Sequence, residues 1–118
     1  MAHTFKRSAR VSDLIMKEVS QMIVKGEIKD PRVNQAFITG VKVTDNLSMA
    51  NIYFSLMDQS AQKQDVLEGL NSAKGFIRSR LAQRLKMRKI PDLNFMFDTA
   101  LETGYRVDEV LRGIKVEE

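Results

Sequence analysis

Cysteine and tryptophan are absent from this chain, histidine occurs once and proline twice. Without cysteine there can be neither a disulfide framework nor a thiolate metal site, and a reducing compartment, with the cytoplasm as the expected location, fits the composition. The single histidine, His3, and the lack of any thiol leave no nucleophile with a partnering base, so an enzyme is not expected. Asp45 and Asp58 stand isolated, no segment has a calcium-loop or phosphate-loop pattern, and neither a metal nor a cofactor is expected. Long apolar runs are missing too: no segment approaches the roughly 20 residues that span a bilayer, and the N-terminus lacks the apolar stretch of a signal peptide. A membrane partner is therefore not expected. One further absence is local, since no acidic residue occurs between Glu68 and Asp92.

Within that acid-free stretch stand Lys74, Arg78, Arg80, Arg84, Lys86, Arg88 and Lys89, while the whole chain carries a net charge of only +4. The remaining 12 cations face 15 acids, so the basicity is concentrated on one element. Most charge runs are solvated faces. A merely soluble face mixes signs, however, and like charges this close repel one another unless a partner neutralises them, which points to a polyanion. The other 43% hydrophobic and 29% charged content is that of a globular protein, and 118 residues suit a single domain with a core of its own. The expected organisation is one domain over residues 1–118, monomeric when free, with a flexible arm over residues 1–7 and an acidic tail over residues 113–118.

Apolar residues recur at Val11, Leu14, Ile15, Val19, Met22 and Ile23, the spacing of an amphipathic helix from Ser8 to Lys25 that Gly26 can stop. Glu18 interrupts the stripe, and a basic residue of a later helix is its expected partner. Gln35 to Thr44 and Ala50 to Met57 have strand composition, and Asp45-Asn46-Leu47-Ser48 between them has turn chemistry, so an antiparallel hairpin is predicted. Gly40 suggests a bulge in the first strand. Ser60 is a candidate cap for a short second helix with Val66, Leu67 and Leu70 inward. The row Ile77, Leu81 and Leu85 marks a third helix, with Arg78, Ala82, Lys86 and Lys89 on another arc and Pro91 as its end. Leu93, Phe95 and Phe97 then alternate as a third strand, and Val107, Val110 and Leu111 suggest a last short helix from Gly104 to Leu111. The predicted class is α+β, in the order αββααβ.

Arg78, Lys86 and Lys89 are the first candidates for polyanion contact, whereas Arg80 and Arg84 flank the apolar row and can lay their stems along it. Lys74 sits at the bend between the paired helices, Arg88 belongs to the same acid-free basic run, and Lys6, Arg7 and Arg10 extend the basic surface at the N-terminus. Phe37, Phe54, Phe95 and Phe97 lie in period-two stripes and are expected in the core; Tyr53, on the opposite strand face, is the one aromatic open as a base contact.

An αββααβ order with a basic second-of-pair helix resembles the KH-like type II fold, whose Gly-x-x-Gly loop clamps single-stranded nucleic acid. Here Ala73-Lys74-Gly75 stands in its place, with Ala73 and Gly75 as the expected interhelical kink. That kink, Asp30-Pro31-Arg32-Val33, the run Asp45-Asn46-Leu47-Ser48-Met49-Ala50-Asn51-Ile52-Tyr53 and Arg88-Lys89-Ile90-Pro91-Asp92-Leu93-Asn94-Phe95 together resemble the bacterial ribosome-binding factor A family. The resemblance implies a non-catalytic, cold-shock-related factor that binds the immature small (30S) ribosomal subunit and its 16S ribosomal RNA and assists 5′-end maturation. A generic KH-like RNA or single-stranded DNA binder, and a protein-interaction adaptor with a basic face, are the alternatives at this point.

Overall fold

The stripe Val11, Ile15, Val19, Met22 and Ile23 is the buried face of helix α1, Arg7–Val24, in a computed structural model that describes residues 7–58 and 60–99. Leu14, expected in that stripe, is instead exposed. Gly26 ends the helix in the left-handed region (φ 70°), with the Glu27 amide donating to the Met22 carbonyl across the reversal at 2.9 Å. A 3-10 helix then runs Pro31–Gln35, an element the sequence pattern did not suggest. Its N-cap is Asp30, whose carboxylate accepts the Arg32 amide at 3.0 Å, and Pro31 supplies the fixed φ of a first helical position.

Strands β1 (Ala36–Val43) and β2 (Met49–Leu56) form the predicted antiparallel hairpin, and β3 (Asp92–Phe97) lies parallel to β2, giving the sheet order β1-β2-β3. The register slips between Ile38 and Gly40, placing the expected bulge beside the glycine. Thr39, the extra residue there, donates its hydroxyl to Asp98 at 2.6 Å. One sheet face carries Ala36, Ile38, Ala50, Ile52, Phe54, Leu93 and Phe95, all buried. Phe54 and Phe97 meet edge-to-face, 5.6 Å between centroids. Phe37 points the other way and is exposed, so it does not belong to the core as expected.

Helices α2 (Lys63–Ser72) and α3 (Lys74–Leu85) complete the order αββααβ. Ser60 does not cap α2; Gln62 holds that position without a side-chain bond, and Ser60 instead donates both its amide and its hydroxyl to Asp58. Ala73, at φ −86° and ψ 0°, is the single residue separating the two helices. Gly75 lies inside α3 with an ordinary φ, and a Cβ built there meets nothing within 4 Å, so the bend is made at Ala73 and not by glycine geometry. Gly69 matters more: a Cβ there would stand 2.9 Å from Arg32 Cβ, which shows how closely α2 approaches the 3-10 helix. The predicted C-terminal helix, the acidic tail and Lys6 lie outside the described residues.

Candidate nucleic-acid interface

Helix α3 ends sooner than Pro91 would require. It stops at Leu85, and Lys86 turns left-handed (φ 54°) while its amide closes on Ala82. Lys86, Arg88 and Lys89 therefore do not continue the helical arc of Arg78; they occupy the loop between α3 and β3, exposed and without an ion pair among the described residues. The expected run of one helical face breaks into two groups with different surroundings.

The helical group is largely engaged within the protein. Arg84 bonds Glu27 at 2.5 Å and Glu18 at 3.4 Å, so Glu18 has the later-helix partner its position called for. The Glu27 hydrogen bond raises the Arg84 pKa above its ordinary value. Arg78 donates to the carbonyls of Ile90 (2.8 Å) and Pro91 (3.3 Å) and lies 3.6 Å from Asp92, tying α3 to the start of β3. Arg80 stacks over Phe76 at 5.0 Å, and Lys74 opens α3 half-buried. Neither α1 nor α3 has an acid in its first turn, where Arg7 and Arg10 or Lys74 stand instead. Cations at these helix starts oppose the macrodipole, a local sacrifice consistent with an external anion.

The loop group converges with Arg7. Arg7, Asn46, Leu47, Met87, Arg88 and Lys89 line one cleft of about 210 Å³, bringing the start of α1, the β1–β2 turn and the α3–β3 loop together. Leu47 (φ 61°) and Lys86 are the two non-glycine residues with positive φ among the described residues; one lines this cleft and the other adjoins Met87. Each left-handed residue costs on the order of 1 kcal/mol, and such strain concentrates at working surfaces. In the sequence Asn46 and Leu47 read as turn residues within a family-like run, with no sign of a binding role. A larger cavity of about 530 Å³, lined by Glu27, Ile28, Lys29, Asp30, Pro31, Ser72, Ala73 and Phe76, carries two acids already held by Arg84 and Arg32. Tyr53 lies half-buried on the outer sheet face, paired in register with Gly40 and Met96.

The described residues contain no group of three His, Asp or Glu side chains able to hold a metal ion, and no helix long and apolar enough to cross a membrane. Residues 7–111 match the family model for ribosome-binding factor A. The chain belongs to the ribosome-binding factor A family. It is 42% identical to the ribosome-binding factor A of Geotalea uraniireducens over 114 residues, covering 97% of this chain and 93% of that one. Against the ribosome-binding factor A of Syntrophus aciditrophicus the identity is 43%, over 97% of this chain and 92% of the other. The crystal structure of ribosome-binding factor A from Thermus thermophilus superimposes with a TM-score of 0.68 at 21% identity, covering 76% of this chain and 93% of that one. A homology model of Thermus thermophilus ribosome-binding factor A, fitted into the cryo-EM map of its 30S complex, has a TM-score of 0.61 at 22% identity, covering 75% of this chain and 91% of that one. These two structural likenesses establish the fold this family member shares.

Proposed function

We propose that this chain is a non-catalytic, cytoplasmic assembly factor that binds the immature small ribosomal subunit through its 16S ribosomal RNA. On this reading it assists maturation of the RNA's 5′ end by stabilising one RNA conformation over others, since a binder shifts an equilibrium by its differential affinity alone. The observation that carries the reading is the group Arg7, Arg88 and Lys89, cations that make no ion pair among the described residues and line one cleft from distant parts of the sequence, with Lys86 exposed beside them. Family membership and the 30S complex of the Thermus thermophilus protein support the choice of partner. Exposed cations without protein partners among the described residues suit phosphate contacts, which position a protein on an RNA shape without reading base edges.

Filter binding of protein-free small-subunit RNA across a salt series tests this. The logarithm of affinity should fall linearly with the logarithm of salt, by roughly 0.7 to 0.9 per phosphate contacted. Single-stranded DNA and unrelated RNA should bind more weakly. Equal binding to all three would favour a generic nucleic-acid binder, and salt-independent association with whole subunits only would favour a protein adaptor.

A further inference from the structure

We infer that the cleft between Arg7, the β1–β2 turn and the α3–β3 loop seats a backbone phosphodiester of RNA, with the adjoining ribose against Leu47 and Met87. The inference rests on the RNA-binding reading above and names its site.

The decisive residue is Asn46. Its side-chain oxygen accepts three donors: the Ser48 amide at 3.1 Å, the Ser48 hydroxyl at 2.7 Å and the Thr44 hydroxyl at 2.8 Å. A backbone N–H can only donate, so the atom facing Ser48 is the oxygen and the orientation of the amide follows. The amide nitrogen, with two N–H groups, stands on the other side of that planar group with no partner among the described residues. Asn46 lines the cleft together with Arg7, Arg88 and Lys89. Arginine and lysine have donors and no acceptors, so the polar side chains offered to a ligand are donors throughout.

Asp45, adjacent in sequence, is not part of this wall and accepts the Ser8 hydroxyl at 3.4 Å. Leu47 and Met87 pack against the core and supply an apolar floor beside the donors. Donors above an apolar floor match a phosphodiester flanked by its sugar better than they match an isolated carboxylate. The two left-handed residues fit the same account, since Leu47 sets the floor from the turn and Lys86 swings the chain so that Met87, Arg88 and Lys89 meet it.

Asn46→Asp is the informative variant, because it keeps the oxygen that holds the turn and replaces the outward donor with a second carboxylate oxygen. Lys17→Gln, an exposed position on α1 outside the cleft, changes net charge equally and serves as the control. With protein-free small-subunit RNA, Asn46→Asp should weaken binding roughly tenfold or more and Lys17→Gln by less than about threefold. Arg88→Gln with Lys89→Gln should flatten the salt slope by about 1.5 units. Circular dichroism melts check folding; if Asn46→Asp fails to fold, the Arg88 and Lys89 pair decides alone. Asn46→Asp binding no worse than Lys17→Gln, with the parent still salt-sensitive, overturns the cleft while leaving the RNA reading intact. A parent without salt-linked RNA binding overturns both. Loss of subunit binding by Asn46→Asp with unchanged binding to bare RNA would make the cleft's ligand an acidic protein and overturn the phosphodiester.

Discussion

Arg84 on α3 and Glu27, just past the end of α1, meet at 2.5 Å, and the same guanidinium reaches Glu18 at 3.4 Å. One cation in the basic run thus joins two segments remote from it in sequence and is spent on holding α1 against α3. Arg84→Gln should lower the melting temperature by a few degrees, while Arg88→Gln leaves it near the parent. Adding Glu27→Gln to Arg84→Gln should cost less than the two single changes together, because removing both partners leaves one fewer uncompensated charge. Strict additivity in thermal melts would mean that the pair makes no specific contribution.

Two glycines should respond oppositely to the same change. Gly69→Ala forces a methyl to within 2.9 Å of Arg32 Cβ, an atom fixed close to the backbone, and should destabilise by about 1–3 kcal/mol. Gly75→Ala meets open space at an ordinary helical φ, so stability should be unchanged or raised by at most about 1 kcal/mol. Urea midpoints at constant m-value distinguish the two. A Gly75→Ala protein less stable than Gly69→Ala would contradict this account of the bend at Ala73.

Arg78 should behave as a structural residue first. Its loss leaves the carbonyls of Ile90 and Pro91 without their charged donor, and Arg78→Gln should cost about 1 kcal/mol after allowing for its partial exposure. Lys86→Gln, exposed and with no side-chain partner among the described residues, should stay within about 0.5 kcal/mol of the parent. Equal denaturant midpoints for the two variants would argue that the Arg78 bonds add nothing in solution.

Acid stability should report Asp30. Hydrogen bonds from the Arg32 side chain and amide hold its carboxyl below the ordinary value of 3.8. The native state therefore releases this proton more readily than the unfolded chain, which makes stability rise with pH over this range. The contribution is fully present above 3.8 and is lost as pH falls through the lower native value. Asp30→Asn should remove that part of the slope, so the stability gap between parent and variant should shrink on acidification. A gap that stays constant down to the acid limit would show that the Arg32 bonds do not survive in solution.

Periodicity sufficed for elements whose faces are decided by burial. The alternation Ala50, Ile52, Phe54 and Leu56 leaves one way to bury a strand face, and Gly26 and Gly40 mark a helix end and a bulge by backbone chemistry alone. Phe37 and Leu14 escaped the same reasoning because each is apolar yet points away from the packed layer. Pro91 was a misleading stop signal, since a proline limits how far a helix can run but does not prevent Lys86 from ending it earlier.

The class, the element order and the concentration of positive charge between Glu68 and Asp92 are legible along the chain, because they follow from local periodicity and composition. Which cations remain available to a partner depends on the packed fold. Arg84 and Arg78 are taken up by Glu27, Glu18 and the carbonyls before β3, whereas Arg88 and Lys89 are carried beside Arg7 and Asn46. Ion pairing and convergence depend on separations through space between residues far apart in the chain, and no local pattern encodes those separations.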